Sequence, residues 1–217
     1  VLPAEINRPL ALSHVVFNTR DREGVSRVLI EALGFKLSDR TRIMNFLRCD
    51  SAHHAIAYAD SADVSLNHIA FDMASTDAVM GGMGRMKEAG FPTVWGPGRH
   101  GPGNNVFGYF IAPVGACIEY TAEVERVDDS YPVGTPESWT WPPGRTDHWG
   151  IAARDNDKLA ASGKAFPFAA AAWPFTMTPV FDAAIVGFGG VVLNGVYAAQ
   201  SQQRPGPAGR EIGRAHV

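Results

Sequence analysis

Apolar and polar residues alternate along residues 66–72 (LNHIAFD), the pattern of a half-buried β-strand, and the same pattern recurs along residues 12–18 (LSHVVFN). A histidine occupies the third position of each stretch, so His14 and His68 are equivalent. Because alternate residues of a strand share one face, each stretch places an imidazole among inward-facing apolar residues. The pattern predicts a duplicated unit that delivers one imidazole per copy.

Each of these strands is followed by a helix and three further strands. In the first copy, Asp21 is placed to cap the helix and Gly34 to end it. The next strands are predicted at residues 35–39, 42–49 and 54–59. In the second copy, the helix begins after residues 74–76 and ends at residues 90–91. Its later strands are predicted at residues 94–98, 105–112 and 116–122.

This self-similarity predicts an α+β fold built from two β-α-β-β-β modules, at about residues 10–61 and 65–122. Two such modules commonly pair their sheets into a half-closed barrel. The cavity of that barrel is lined by inward-facing strand residues. We therefore expect residues 10–122 to form one domain around a single cavity.

The segments that flank this domain differ from it in composition. Residues 1–9 are a polar lead-in that contains proline. Residues 123–155 are rich in proline and carry three tryptophans, Trp139, Trp141 and Trp149. Because disordered segments are poor in aromatic residues, we expect these residues to form an ordered arm that wraps over the barrel.

Residues 156–217 are expected to be a disordered tail that is foreign to the native protein. Residues 177–189 look like the first strand and glycine turn of a separate flavoprotein, but Val192 stands where the dinucleotide fingerprint needs its third glycine. Residues 212–217 match one translated frame of a common sequencing adapter. We therefore expect read-through from one reading frame into another, and then into the adapter.

Composition and net charge limit the classes of protein to which the chain can belong. Hydrophobic residues make up 46% of the chain and charged residues 19%, which is ordinary for a globular protein. The net charge of −3 gives no electrostatic basis for binding nucleic acid or an anionic membrane. No apolar run is long enough to span a bilayer and no signal peptide is recognisable, so we expect a cytoplasmic protein. Cys49 and Cys117 are expected to be buried thiols.

Three residues, His14, His68 and Glu119, are candidates to hold a divalent metal. Glu119 lies in a mostly apolar strand, where a carboxylate is costly to bury unless a cation or metal pairs with it. The alternative is two core histidines and a glutamate at a sheet edge. Two imidazoles at equivalent positions and one carboxylate instead predict a facial triad with open coordination positions. The first copy has Ala57 at the position of Glu119, so no fourth ligand is expected.

Together these patterns resemble the carboxy-terminal catalytic domain of the type I extradiol ring-cleaving dioxygenases, members of the vicinal oxygen chelate superfamily. The resemblance covers about residues 10–153 and is carried by residues 12–17, 51–57, 66–71, 98–100 and 109–120. It implies Fe(II), with Mn(II) as the alternative, held by His14, His68 and Glu119. Family members usually carry an amino-terminal copy of the same two-module unit. We therefore expect a fragment, and a homo-oligomer for the full-length protein.

The same resemblance implies catalytic roles for three further residues. His54 matches the histidine near the dioxygen site, where an imidazole can donate a proton or a hydrogen bond near neutral pH. His100 and Tyr109 match the pair that hydrogen-bonds the catechol oxygens; the alternatives are a surface imidazole and a half-buried strand tyrosine. The side chain of His53 points to the strand face opposite that of His54 and is expected to face solvent. The alternative is that the two histidines have the reverse orientations.

The function that the resemblance implies is extradiol cleavage of a catechol-type aromatic, such as catechol or a 2,3-dihydroxybiphenyl, by dioxygen. The product would be a ring-opened semialdehyde or keto-dienoate. Two alternatives remain. One is a glyoxalase-like, metal-dependent isomerase or transferase on the same scaffold, which the Ala57 position disfavours. The other is a non-catalytic module that binds a small molecule, for which metal analysis is the discriminating measurement.

Overall fold

A computed structural model describes residues 7–168, which belong to one compact unit. The flavoprotein-like and adapter-like segments predicted from the sequence lie outside the described residues. The elements follow in chain order: β1 (Ala11–Thr19), α1 (Arg22–Leu33), β2 (Lys36–Arg40), β3 (Met44–Arg48), β4 (Ile56–Asp60), β5 (Ser65–Asp72), α2 (Thr76–Glu88), β6 (Thr93–Arg99), β7 (Val106–Ile111), β8 (Cys117–Ala122), β9 (Ala153–Arg154) and α3 (Asn156–Ala165).

The described strands form one mixed sheet in the order β2-β3-β4-β1-β5-β8-β7-β6-β9. The elements β1-α1-β2-β3-β4 and β5-α2-β6-β7-β8 repeat the same order, so the predicted α+β fold with two β-α-β-β-β modules is confirmed. The sheet does not close on itself, because β2 and β9 remain its two edges. The protein is therefore a half-open barrel rather than a complete one.

The first strands of the two modules lie side by side at the centre of the sheet. β1 pairs with β5 antiparallel, with His14 opposite Ala70, and β5 pairs with β8 in parallel, with Ala70 opposite Glu119. His68 lies two residues before Ala70 and thus on the same face of β5. This register puts the three predicted metal ligands on one face of three adjacent strands.

The helices lie against the sheet through their apolar faces. The Asp21 carboxylate caps α1 by accepting a backbone N–H of the first turn, and Gly34 ends the helix with a φ of 76°, so both predicted caps are confirmed. Ser75 caps α2 in the same way, and Val79 of α2 packs in a buried cluster with residues of β7 and β8. Among residues 7–168, no helix is long and apolar enough to cross a membrane.

Residues 123–155 contact both modules. Gly134 pairs with Asp39 of β2, and β9 extends the sheet beyond β6, with Arg154 opposite Trp95. The backbone N–H of His53 donates to the carbonyl of Glu125. The segment therefore runs from the first module to the far edge of the second.

Two expectations from the sequence are wrong. The disordered tail was placed from residue 156, but Asn156–Ala165 form α3, which Asp155 caps and which packs against β5. Cys49 was expected to be buried, but it is exposed because β3 ends one residue earlier, at Arg48; Cys117 is buried as expected.

We expect Gly96→Ala to destabilise the protein by about 1–3 kcal/mol. Gly96 has a φ of 113°, and a Cβ there would lie 2.9 Å from the carbonyl oxygen of Phe107, which is fixed in β7. The matched control is Gly84→Ala on the exposed surface of α2, where a Cβ meets nothing within 4 Å. That change should stabilise the protein by about 0.5–1 kcal/mol, since alanine is the better helix former. Urea unfolding of both variants gives the two signs, and equal effects would contradict this account.

Candidate metal centre

The side chains of His14, His68 and Glu119 converge on one point. Glu119 Oε2 lies 3.1 Å from His14 Nε2 and 3.1 Å from His68 Nε2. One ligand atom from each residue lies within 4.8 Å of the others, and all three residues are buried. Two ligands that bind one ion at about 2.1 Å and at a right angle lie about 3 Å apart. The spacing therefore fits three ligands on one face of a metal ion.

The hydrogen bonding of His68 tests whether a metal fits this point. Its Nδ1–H donates to Asn67 Oδ1 over 2.8 Å, which leaves the lone pair on Nε2. That Nε2 is buried, and its contact with Glu119 does not have the geometry of a hydrogen bond. A buried nitrogen with a lone pair and no partner is what a metal ligand requires. The donor set thus suits a divalent cation.

A shell of amide side chains orients the three groups. Asn67 donates to Asn18 Oδ1 over 2.8 Å, which holds the acceptor oxygen toward His68. Asn105 donates to Glu119 Oε1 over 3.1 Å and to Thr121 Oγ1 over 2.7 Å. Neither Asn18 nor Asn105 is among the site residues that the sequence predicts. Asn67 was the one available signal, because it adjoins a candidate ligand and offers an oxygen that can accept the second ring N–H of a metal-ligating histidine.

Burial and charge set the protonation of the site. Burial alone would raise the pKa of Glu119, but the neighbouring His14 imidazole outweighs it and holds that pKa well below its ordinary value. Burial lowers the pKa of His68 and lowers the pKa of His100 to about 4. It also raises the pKa of Tyr109 well above its ordinary value. Near neutral pH the centre therefore holds a carboxylate, a protonated phenol, and imidazoles at His68 and His100 that are neutral.

His54 lies beside the triad, with its ring centroid 4.2 Å from that of His14. Burial and the neighbouring His14 and His53 place the pKa of His54 well below its ordinary value. The expectation that His53 faces solvent is wrong, because His53 is fully buried and its Nε2 lies 2.7 Å from Asp39 Oδ2. His53 precedes β4 rather than lying in it, so strand alternation does not apply there.

His100 and Tyr109 meet on the other side of the triad. His100 Nε2 lies 2.9 Å from the Tyr109 hydroxyl and 3.7 Å from Glu119 Oε1. Phe107 stacks on the His100 ring at 3.9 Å, and Trp95 stacks on the Tyr109 ring at 4.9 Å. The stacked rings hold both polar groups at the edge of the centre, so both are available to a molecule that enters it.

A cavity of about 930 Å³ opens onto these groups. Its walls include the triad histidines together with His54, His100 and Tyr109. The proline-rich segment contributes Trp139 and Trp141, which lie against Gly101, and α3 contributes Leu159. The cavity therefore joins the candidate metal ligands to walls that carry both aromatic and basic side chains, the latter Arg42, Arg145, Arg154 and Lys164.

The chain matches the family model described as the Glyoxalase/Bleomycin resistance protein/Dioxygenase superfamily over residues 11–120. It is 32% identical over 149 residues to metapyrocatechase 2 of Cupriavidus necator, a match that covers 66% of this chain and 44% of that protein. It is 27% identical over 123 residues to 2,2',3-trihydroxybiphenyl dioxygenase of Sphingomonas paucimobilis, covering 53% of this chain and 42% of that protein. The chain thus spans less than half the length of these relatives.

Among solved structures, the Mn(II)-bound glyoxalase from Novosphingobium aromaticivorans is similar to this chain, with a TM-score of 0.64 and 40% sequence identity. The match covers 73% of this chain and 52% of that one. The shared architecture therefore extends beyond the residues that the family model covers.

We expect the metal-free protein to lose stability as the pH falls below about 6.5. The fold keeps His54, His68 and His100 neutral by burying them, whereas the unfolded chain protonates them near their ordinary pKa. Between that value and the lowered pKa values the unfolded state binds more protons, so acid favours unfolding. Above about pH 6.5 the buried neutral histidines cost no stability, and below that pH the free energy of unfolding falls.

Urea unfolding of chelator-treated protein from about pH 7.5 to about pH 5 measures this effect. A His100→Gln variant should show a shallower decline, because it lacks one of the buried imidazoles. A midpoint that does not change over this range would contradict the assignment of neutral histidines.

Proposed function

The chain belongs to the Glyoxalase/Bleomycin resistance protein/Dioxygenase superfamily, and we propose that within it the chain is an extradiol dioxygenase that cleaves a catechol-type ring with dioxygen. The superfamily resemblance predicted from the sequence is confirmed. The observation that carries the proposal is the convergence of His14, His68 and Glu119, with a free lone pair on His68 Nε2. Two relatives are named metapyrocatechase 2 and 2,2',3-trihydroxybiphenyl dioxygenase, which supports this reaction class.

We propose that His14, His68 and Glu119 hold Fe(II). Two neutral imidazoles and one carboxylate are the ligand set of non-haem iron oxygenases and leave one face of the ion open. Bound Fe(II) would allow electron density to pass from the catechol to dioxygen. Mn(II) is the alternative metal, since a relative that is 40% identical binds it. Hard oxygen donors and imidazoles accept either ion.

The polar groups around the triad would handle the catechol protons. Tyr109 keeps its proton near neutral pH and can donate a hydrogen bond to a catechol oxygen, with His100 as its partner. His54, on the opposite side and beside His14, is placed to accept or return a proton. The two sides of the centre would thus orient the ring between them.

The tryptophans in the cavity wall favour a substrate that carries a flat ring. Trp95, Trp139 and Trp141 line the cavity, and Trp95 also stacks on Tyr109. Aromatic rings pack well against one another in offset or edge-to-face arrangements and displace water as they do so. Such walls would exclude bulk water from the ring during cleavage, which protects reactive species from side reactions.

A second candidate function is a glyoxalase-like isomerisation or transfer, which the similarity to a Mn(II)-bound glyoxalase favours. Ala57 argues against a symmetric four-ligand site, because it is fully buried in β4 at the repeat position of Glu119. The two functions differ in their need for oxygen. A non-catalytic binding module is the remaining alternative and would not retain metal.

Replacing any one ligand should abolish metal retention. We expect His14→Ala, His68→Ala and Glu119→Ala each to lower iron content after anaerobic loading and gel filtration by at least about tenfold, since three ligands are the minimum for tight binding. His148→Ala is the matched control, because His148 is exposed and lies outside the triad. Elemental analysis of each protein checks this result, and a Glu119→Ala protein with full metal content would remove that ligand.

Loaded protein should convert a substituted catechol to a yellow ring-opened product only in the presence of oxygen. We expect His54→Ala to lower kcat by about 10²- to 10⁴-fold, the usual contribution of a general acid or base, while iron content stays unchanged. Absorbance and oxygen uptake, measured together over a catechol panel, test both points. Turnover of a hemithioacetal without oxygen uptake would favour the glyoxalase-like function instead.

A further inference from the structure

Four basic side chains border the cavity that opens onto the candidate metal centre. Arg42, Arg145, Arg154 and Lys164 line it, whereas Asp63 is the only acidic residue of the described chain that does so. The four cations come from separate parts of the chain: the loop before β3, the proline-rich segment, β9 and the last turn of α3. The whole chain has a net charge of −3, so its composition does not explain a positive cavity. The excess of cations therefore points to an anionic ligand.

Arg154 lies next to the groups that would hold a substrate ring. It pairs with Trp95 across β9 and β6, and its guanidinium carbon lies 4.4 Å from the centre of the Trp95 ring. Trp95 in turn stacks on Tyr109, with 4.9 Å between the ring centres. The charge of Arg154 also acts on Tyr109, against the burial that raises the pKa of the phenol. The fold thus places a cation one aromatic ring away from Tyr109.

The guanidinium N–H groups of Arg154 have no acceptor in the described part of the chain. The neighbouring carboxylate of Asp155 caps α3 and pairs with Lys158 over 3.1 Å. By contrast, the Arg145 guanidinium donates to the carbonyl of His148. A guanidinium that lies over a ring uses its flat face for that contact, so its N–H edge stays free. Arg154 is therefore the cavity cation best placed to bind a ligand anion.

The shape of this group determines which anion fits it best. A guanidinium edge matches a carboxylate, which it binds through two parallel hydrogen bonds. The remaining cations of the cavity strengthen the attraction from a distance, because a cleft lined by one sign of charge concentrates the electric field. Arg154 is exposed, so a substrate that covers it removes it from water. A neutral substituent there would leave the covered N–H groups unpaired, which weakens binding.

We propose that the substrate is a catechol whose substituent ends in a carboxylate, and that Arg154 is the residue that selects for this carboxylate. The inference rests on the proposed dioxygenase function for the ring and adds the charge of the substituent. The two hydroxyl groups would lie at the candidate metal ligands, and the substituent would extend along Trp95 to the guanidinium. No bond changes at Arg154, so its effect is on binding rather than on the chemical step.

Binding can be measured without turnover on the full chain loaded with Zn(II), which has no redox chemistry. The titrants are 3,4-dihydroxybenzoate, 3,4-dihydroxyphenylacetate and 3-(3,4-dihydroxyphenyl)propionate, each compared with its primary amide, which has the same size but no charge. We expect at least one acid to bind about 10- to 100-fold more tightly than its amide, as a charge-assisted hydrogen bond does. Added salt should reduce this difference, because only the acid carries a charge to be screened.

Substitutions of Arg154 test whether this residue is the source of the preference. Arg154→Gln should bring the acid within about threefold of its amide, and Arg154→Lys should keep part of the preference, because lysine retains the charge but not the planar fork. The matched control is Lys87→Gln, which removes an exposed charge on α2 that does not line the cavity and should keep the full preference. An equal loss of affinity for acid and amide in Arg154→Gln would overturn the inference.

The outcomes separate this inference from the proposed function. A wild-type protein that binds acids and amides equally overturns the carboxylate site, whether or not a variant folds, and iron-dependent ring cleavage would then still stand. A preference for an acid that Arg154→Gln removes, without ring cleavage by the iron-loaded protein, would refute the proposed reaction and retain the carboxylate site. Where cleavage occurs, the same substitution should raise KM for the acid by about 10- to 100-fold and leave KM for the amide unchanged.

Discussion

The burial of the Glu119 carboxylate between two imidazoles is the interaction on which the rest of the structure depends. Glu119 lies at zero exposure in β8, where an isolated carboxylate would cost several kcal/mol. Its Oε2 is hydrogen-bonded to His14 Nε2, and its Oε1 accepts from Asn105, so both oxygens have a hydrogen-bond partner. Removing any of these partners leaves a buried charge. The pairing of β1, β5 and β8 is therefore both the centre of the sheet and the support of the site.

A difference between the two modules explains why only one of them contributes a carboxylate to the site. The two modules contribute His14 and His68 from equivalent strands, but only the second contributes a carboxylate, and Ala57 fills the matching position in the first. Ala57 is fully buried and lies opposite Val16 of β1, so the first module uses that position for core packing. The two modules thus supply two candidate ligands from equivalent positions, and the third comes from a position at which the modules differ. The broken symmetry leaves one side of the centre free for guest molecules.

Residues beyond the two modules complete the cavity. The segment after β8 supplies Tyr131 and Gly134 to the carboxylate of Asp39, and supplies Trp139 and Trp141 to the cavity wall. α3 closes another part of that wall through Leu159. The duplicated modules provide the candidate metal ligands, whereas the later segment provides part of the cavity wall and two hydrogen bonds to Asp39, the partner of His53.

Local rules were enough for the elements of the two modules, the helix caps and the common face of the three candidate ligands, but not for α3. Asp21 and Gly34 act within one helical turn, and strand alternation with a period of two placed His14, His68 and Glu119 inward before any contact was known. Only the tertiary structure decided the surroundings of His53. That residue lies just outside a strand, and its burial depends on Asp39, 14 residues earlier, and on donors to Asp39 that are 92 and 95 residues away from it in the chain. No periodic pattern carries information over such separations, because the contacts exist only once the chain has returned across the sheet.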